Sequence, residues 1–194
     1  MLFDPSSTFE SIETNVGFLR RIVDDGSVAA VFCKMLPYDG TPIKETLMAQ
    51  GRFNGDVCNP DYDFLDPRIA RCYEAIGRTV GEWVRGSDCV AAMINHAWHE
   101  VFVMERLFEP AADLVAYKTA LSAVTKFSNN ILFSVVEEIC DGFREGGGEC
   151  QQYSGLGQIR EQILATLVQQ RNRYVYENQS WLLKGISKQT LVTA

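Results

Sequence analysis

Val28-Ala29-Ala30-Val31-Phe32-Cys33 is the stretch on which the reading of the fold turns. It is a continuous apolar run, bounded upstream by Asp24-Asp25-Gly26-Ser27 and downstream by a segment rich in Pro and Gly. Such a run suits a parallel strand buried on both faces. Immediately upstream, Ile12, Val16, Leu19 and Val23 recur at spacings of four, three and four. That is one apolar stripe of a helix over Phe9–Val23. Ser7 or Thr8 can cap this helix, and Glu10 lies near its positive end. Met1-Leu2-Phe3 is a short apolar run closed by the turn Asp4-Pro5-Ser6-Ser7. Strand, helix and strand in about thirty-five residues is the size of one βαβ unit.

Downstream, Lys34 to Pro67 is rich in Pro, Gly, Asn and Asp and has little periodicity. It reads as a long ordered loop, and ordered loops of that length usually carry function. Asp66-Pro67 then places proline at a favoured helix start. Helices are expected over Arg68–Arg85, over Asp88–Phe108, and from after Pro110 to about Arg144, the last with a bend near Ser128-Asn129-Asn130. In that third helix Leu114, Tyr117, Leu121, Val124, Ile131 and Val135 follow three/four spacing. Gly146-Gly147-Gly148 marks a hinge or loop. A fourth helix, about Gln158–Glu177, repeats Ile159, Ile163 and Leu167. The expected class is α+β, mostly α: a short βαβ unit with its loop over residues 1–65, then a helical C-terminal domain over 66–194.

The 194 residues carry a net charge of −7, from 18 basic and 25 acidic side chains. An acidic chain repels phosphate backbones unless its basic residues cluster, and only short clusters such as Arg20-Arg21 are present, so nucleic acid is a poor partner. No apolar run approaches the ~20 residues that span a bilayer, so no membrane partner is expected. The N-terminus lacks a basic segment followed by an apolar stretch, so no signal peptide is read and a cytoplasmic location is expected. The six cysteines, at 33, 58, 72, 89, 140 and 150, form neither a zinc ribbon nor a CxxC pair. In a cytosolic chain they read as reduced thiols, mostly buried, with a disulfide framework as the minor reading. There is no G-x-S-x-G sequence and no Walker loop.

Three pieces of sequence resemble the radical S-adenosylmethionine family, in particular its cobalamin-binding members. Leu2-Phe3-Asp4-Pro5 with Thr8 and the helix ending Phe18-Leu19-Arg20-Arg21-Ile22 looks like a late strand and helix of that barrel. Lys34-Met35-Leu36-Pro37-Tyr38-Asp39-Gly40-Thr41-Pro42-Ile43 resembles the "PYxGTP" segment that follows the last barrel strand. Asp61-Tyr62-Asp63-Phe64-Leu65-Asp66-Pro67-Arg68 resembles the "DYxFLDPR" run leading into the helical C-terminal region. The likeness covers about the first seventy residues, and the order and spacing of the three pieces make it specific. It implies that the βαβ unit is a remnant of a partial barrel.

The departures from the family are as informative. Its chemistry starts at a 4Fe–4S cluster held by a CxxxCxxC loop, three thiolates on three irons with the fourth open to the cofactor. No cysteines here have that spacing, and the cobalamin module and early strands are absent, so S-adenosylmethionine, the cluster and cobalamin are implied only for a complete family member. The chain reads as a frame opening inside a barrel or as half of a split enzyme. By resemblance, Lys34, Pro37, Tyr38, Gly40 and Thr41 would approach cofactor or substrate in a complete barrel; no catalytic or metal-binding residue is assigned. The loop's own chemistry agrees with a rigid turn: Pro37 fixes φ, Gly40 permits a reversed φ, and Thr41-Pro42 forces an extended exit. A turn that merely redirects the chain needs the same residues.

His96 and His99 lie three apart with Glu100 and Glu105 nearby, a spacing that suits zinc or iron when carboxylates complete the shell. They flank the stripe Val90, Ile94, Ala97, Val101 and Met104, which favours hydrogen-bonded boundary histidines. Trp98, Phe102, Phe108, Phe127, Phe133 and Trp181 are expected in the core, and Glu137-Glu138 on a solvated helix face. Three functions stay open. One is a partial radical-SAM-like protein that acts with a complementary barrel-containing subunit, or otherwise self-associates. Another is a non-catalytic helical interaction protein descended from such an enzyme. A third is a metalloenzyme using His96 and His99.

Overall fold

The computed structural model describes residues 3–107, 112–146 and 153–176. Its α-helices are α1 (Phe9–Ile22), α2 (Pro42–Ala49), α3 (Pro67–Val84), α4 (Val90–Leu107), α5 (Ala112–Arg144) and α6 (Leu156–Arg171), the last continued by a π-helical segment, Asn172–Tyr176. Helix accounts for 68% of the described residues and β-bridges for 2%, with no sheet. The class is therefore helical, and the expected α+β fold with a βαβ remnant is corrected.

The reason lies in how Val28–Cys33 finds its hydrogen bonds. A strand buried on both faces needs a ladder along at least one edge. Near this run the described backbone is partnered by one bridge and by two helix-borne amides, the more distant of them Asn95, whose Oδ1 accepts from Ala29 N–H at 3.5 Å. Phe3 forms a single parallel bridge with Lys34, its N–H donating to the Cys33 carbonyl at 3.4 Å and its carbonyl accepting from Met35 N–H at 2.8 Å. Around Ala29, the Asn129 side chain takes the corresponding place, accepting from Ala30 N–H at 2.8 Å and donating to the Val28 carbonyl at 2.9 Å. A helix-borne amide can flank one residue and cannot propagate a ladder. Nor is the run buried on both faces: Val28 and Val31 are 51% and 47% exposed, while Ala29 and Ala30 are buried.

The described chain forms two compact units, each gathered from separated stretches. The first comprises Met1–Arg21, Val31–Gly81 and Leu132–Gln152. Here α1 starts at a reciprocal cap: Thr8 Oγ1 accepts from Ser11 N–H, and Ser11 Oγ accepts from Thr8 N–H at 2.9 Å. Phe9, Ile12 and Val16 are its buried face, as the periodicity requires. Asp66 caps α3 by accepting from Arg68 N–H at 2.8 Å, and the Arg68 side chain bonded to it holds its carboxyl below the usual range. The segment Lys34 to Pro67, expected as a long ordered loop, contains α2. Thr41 ends an extended approach, Pro42 occupies the first turn, and Lys44 and Leu47 turn inward. The phenolic and phenyl rings of Phe3, Tyr62, Phe64 and Tyr73 pack edge-on or, for Phe64 and Tyr73, tilted, with centroids 5.0–6.4 Å apart. On α5 the expected solvated Glu137 instead accepts from Arg20 at 2.6 Å, and Arg20 also lies over the Phe133 ring.

The second unit comprises Ile22–Ala30, Glu82–Ile131 and Tyr153–Ala194. A turn at Gly26 runs so close to α5 that a Cβ there would meet the Ser122 carbonyl at 2.5 Å; with φ at +72°, only glycine suits the position. Facing inward from α5, Thr125, Ser128 and Asn129 are buried polar residues, and each is partnered. Ser128 Oγ accepts from Trp83 Nε1 at 2.9 Å, and Thr125 Oγ1 from Trp98 Nε1 at 3.3 Å. Val90, Ile94, Ala97, Val101 and Met104 form the buried stripe of α4, and Ile163 and Leu167 that of α6. Phe102 and Phe127, expected in the core, are 52% and 54% exposed, whereas Phe133 of the first unit is buried. Phe108 and Trp181 lie outside the described residues.

Candidate functional site

The extended chain ending at Leu36 delivers Lys34 to the first unit's aromatic cluster. Its ammonium donates to Asp61 and to the Tyr62 carbonyl at 2.6 Å, and lies 4.2 Å from the Tyr62 ring centroid and 4.8 Å from that of Phe64. The side chain is 17% exposed, so these contacts form in a partly dehydrated setting where a cation over a ring is worth more than in water. Alternation within Asp61-Tyr62-Asp63-Phe64 turns both rings to one side, the period of an extended chain. Phe53 and Tyr62 form an antiparallel bridge, with Asn54 N–H on the Asp61 carbonyl at 3.0 Å and Asp63 N–H on the Arg52 carbonyl at 2.8 Å.

Arg52 ties this arm to the N-terminal turn through bonds of 2.9 Å to the carbonyls of Pro5 and Asp63. Tyr62 completes the junction by donating its hydroxyl to the Phe3 carbonyl at 3.3 Å. Burial drives the Tyr62 phenol well above its ordinary range, helped by the charges of Asp4 and Asp61. Lys44, on α2, is paired with Asp39 and lies 4.4 Å over the Phe53 ring.

Lys34, Pro37, Tyr38, Gly40 and Thr41 thus share one bend, but they do different things there. Lys34 braces the fold. Pro37 is buried. Thr41 donates its hydroxyl to the Tyr38 carbonyl at 2.6 Å and caps α2 through its backbone. Gly40 takes φ +77° with open space where a Cβ would be. Tyr38 is 63% exposed, the one large side chain of the five presented to solvent. Asp61, Tyr62, Phe64 and Arg52 were not singled out as partners of this bend, although the period-two aromatics of Tyr62 and Phe64 signal an extended arm.

Among the described residues no group of three or more His, Cys, Asp or Glu is placed to hold a metal ion. The three thiolates that a 4Fe–4S cluster needs are not gathered here, so the cluster does not fit the described residues. His96 and His99 are exposed on α4. With Met93, Ala97, Glu100, Leu167 and Arg171 they line a groove of about 260 Å³ in the second unit. Glu100 and Arg171 pair across it, Arg171 Nε donating at 3.0 Å. Nearby, the Tyr117 phenol is pushed up to about 12, chiefly by burial and then by the Glu100 charge.

No helix among the described residues is long and apolar enough to cross a membrane. Compared with protein-family models, with curated proteins and with solved structures, the chain matches none.

Proposed function

We propose that this chain works as the C-terminal part of a radical-S-adenosylmethionine-type enzyme, with the cluster, cofactor and any cobalamin site supplied by a complementary subunit. The observation that carries this reading is an open backbone edge at Lys34. Phe3 occupies one side of that residue, so the N–H and carbonyl of Lys34 itself point the other way. Neither they nor the N–H of Phe32 have a partner among the described residues. Val31 and Leu36 present exposed apolar side chains along the same stretch, and Cys33 is exposed between them. Unpaired backbone flanked by apolar side chains is a template for an added strand. The Lys34 ammonium, held by Asp61, Tyr62 and Phe64, keeps that edge in place before a partner arrives.

The bend that would meet a partner's cofactor contributes Tyr38 and the Gly40 backbone, since Lys34 and Thr41 are already engaged. The test is anaerobic mixing of this chain with a separately expressed barrel portion carrying the CxxxCxxC loop and its reconstituted cluster. The reading expects a stable complex and more 5′-deoxyadenosine under reductant than the barrel portion gives alone. Failure to form any complex counts against it.

A second reading, a non-catalytic helical interaction protein, is favoured by the Lys34 geometry. The bend's one lysine is spent on internal contacts and is not offered to a ligand. On that reading a complex forms and 5′-deoxyadenosine stays at the level of the barrel portion alone.

A further inference from the structure

The first unit contains two cysteines in contact. Cys72 on α3 and Cys140 on α5 place their sulfurs 3.4 Å apart, and the residues are 0% and 5% exposed. A disulfide requires about 2.05 Å between sulfurs, a small closing movement from this separation. An independent feature reaches the same pair. A cavity of about 190 Å³ is bordered by Ile12 of α1 and by Cys140 itself, with Glu13, Glu137, Asp141 and Arg144 around it. Cys72 does not border the cavity, so a small molecule entering it meets Cys140 first.

We propose that Cys72 and Cys140 form an oxidisable dithiol, converted to a disulfide by a small uncharged hydroperoxide that enters through this cavity. The Cys140 thiolate attacks one peroxide oxygen. The O–O bond breaks, Cys140 becomes a sulfenic acid, and the departing hydroxide takes up the thiol's proton as water. The Cys72 sulfur then attacks the Cys140 sulfur, the S–O bond breaks, and the hydroxyl leaves with the Cys72 proton as a second water. Two thiols lose two electrons, and one hydrogen peroxide becomes two waters.

Size selects the class of oxidant. The three carboxylates at the cavity are paired with guanidiniums, Glu13 and Asp141 with Arg144 at 3.0 and 3.5 Å and Glu137 with Arg20 at 2.6 Å, so the surround offers no uncompensated cation to draw in an anion. A disulfide such as oxidised glutathione is too large for a space of about 190 Å³, whereas a small neutral peroxide is not. The product ties α3 to α5 across 68 residues of chain, a constraint that acts mainly on the unfolded state and raises the unfolding midpoint.

The experiment treats the folded full chain with hydrogen peroxide, alkylates remaining thiols, and maps the peptides by mass. The expected result is a Cys72–Cys140 cross-link that reductant reverses. In the Cys72→Ala variant Cys140 should stop as a sulfenic acid that a 1,3-diketone traps, whereas Cys140→Ala should leave Cys72 a thiol. Oxidised glutathione, too large to enter the cavity, should give the same cross-link far more slowly than peroxide does. Cys72 and Cys140 both recovered as thiols while the exposed Cys33 and Cys58 are oxidised would overturn the proposal. So would a cross-link formed as fast by oxidised glutathione as by peroxide.

Discussion

Asn129 flanks Ala29 in the manner of a neighbouring strand: its Oδ1 accepts from Ala30 N–H at 2.8 Å and its Nδ2 donates to the Val28 carbonyl at 2.9 Å. Phe3 does the same around Lys34 with its backbone, donating to the residue before and accepting from the residue after. Between them these contacts leave the apolar run without a ladder, and on its other side Ala29 N–H reaches Asn95 Oδ1 at 3.5 Å. Asn129 is 2% exposed and its bond to Ala30 N–H is buried, so water does not replace that bond when it is lost, whereas the bond to the Val28 carbonyl is only partly buried.

Asn129→Ala is therefore expected to destabilise the chain by about 1–3 kcal/mol, chiefly because the buried Ala30 N–H loses its partner, with a smaller loss at the partly buried Val28 carbonyl. Asn129→Asp retains the acceptor for Ala30 N–H but, when ionised, has no donor for the Val28 carbonyl. Its deficit at neutral pH should shrink as the carboxyl is protonated in acid. Urea unfolding of both variants across pH measures this, and equal deficits at all pH values would show that the second bond matters little.

Lys34→Met is expected to cost about 2 kcal/mol. The pairing with Asp61, which is 60% exposed, contributes little of this. The bond to the Tyr62 carbonyl and the two ring contacts supply the rest, at about 1.5–3 and 0.5–2 kcal/mol before the gain from burying an apolar methionine. Asp61→Asn should accordingly be mild. Thermal unfolding of the two variants separates the contributions, and a larger loss for Asp61→Asn than for Lys34→Met would reverse the assignment.

Tyr62 and Tyr117 set an alkaline limit. Both phenols are raised in the folded state, chiefly by burial, so folding favours the protonated form. The stability they contribute is complete below the unfolded value of about 10 and declines as pH rises above it. For Tyr117 the loss extends to about pH 12. Tyrosinate absorbance, followed with circular dichroism from pH 9 upward, should show these two phenols ionising after the exposed ones or together with unfolding. Ionisation of all seven tyrosines in one step near pH 10, with the fold intact, would contradict it.

Much of the helical architecture was legible because apolar spacing is a direct record of which face is buried. The α1 face at Ile12 and Val16, and the α4 stripe from Val90 to Met104, follow from periodicity alone. On α5 the apolar spacing does not by itself mark the buried face. Val124 and Ile131 carry the apolar pattern yet are half-buried, whereas the buried positions include Thr125, Ser128 and Asn129. A polar residue whose hydrogen bonds are met inside the protein looks, in sequence, like one that faces water. The same blindness produced the missing strand, since nothing in Val28–Cys33 reveals that its partner is a side-chain amide about a hundred residues away. At the candidate site, the bend at Pro37–Thr41 was readable from turn chemistry, but the contact of Lys34 with Asp61, Tyr62 and Phe64 depends on chain reversal after α2.

The most direct test of the central claim, that this chain offers an open edge to a partner, is residue-resolved amide hydrogen exchange at Phe32, Lys34 and Met35 in the isolated protein. Sedimentation on the same sample fixes its association state. The account predicts that Met35, bonded to the Phe3 carbonyl at 2.8 Å, is protected in the dilute chain while Phe32 and Lys34 exchange freely. It further predicts that Phe32 and Lys34 become protected when a barrel partner is added. Strong protection of Phe32 and Lys34 in a sample that sediments as a monomer would contradict it, because the chain would then close that edge by itself.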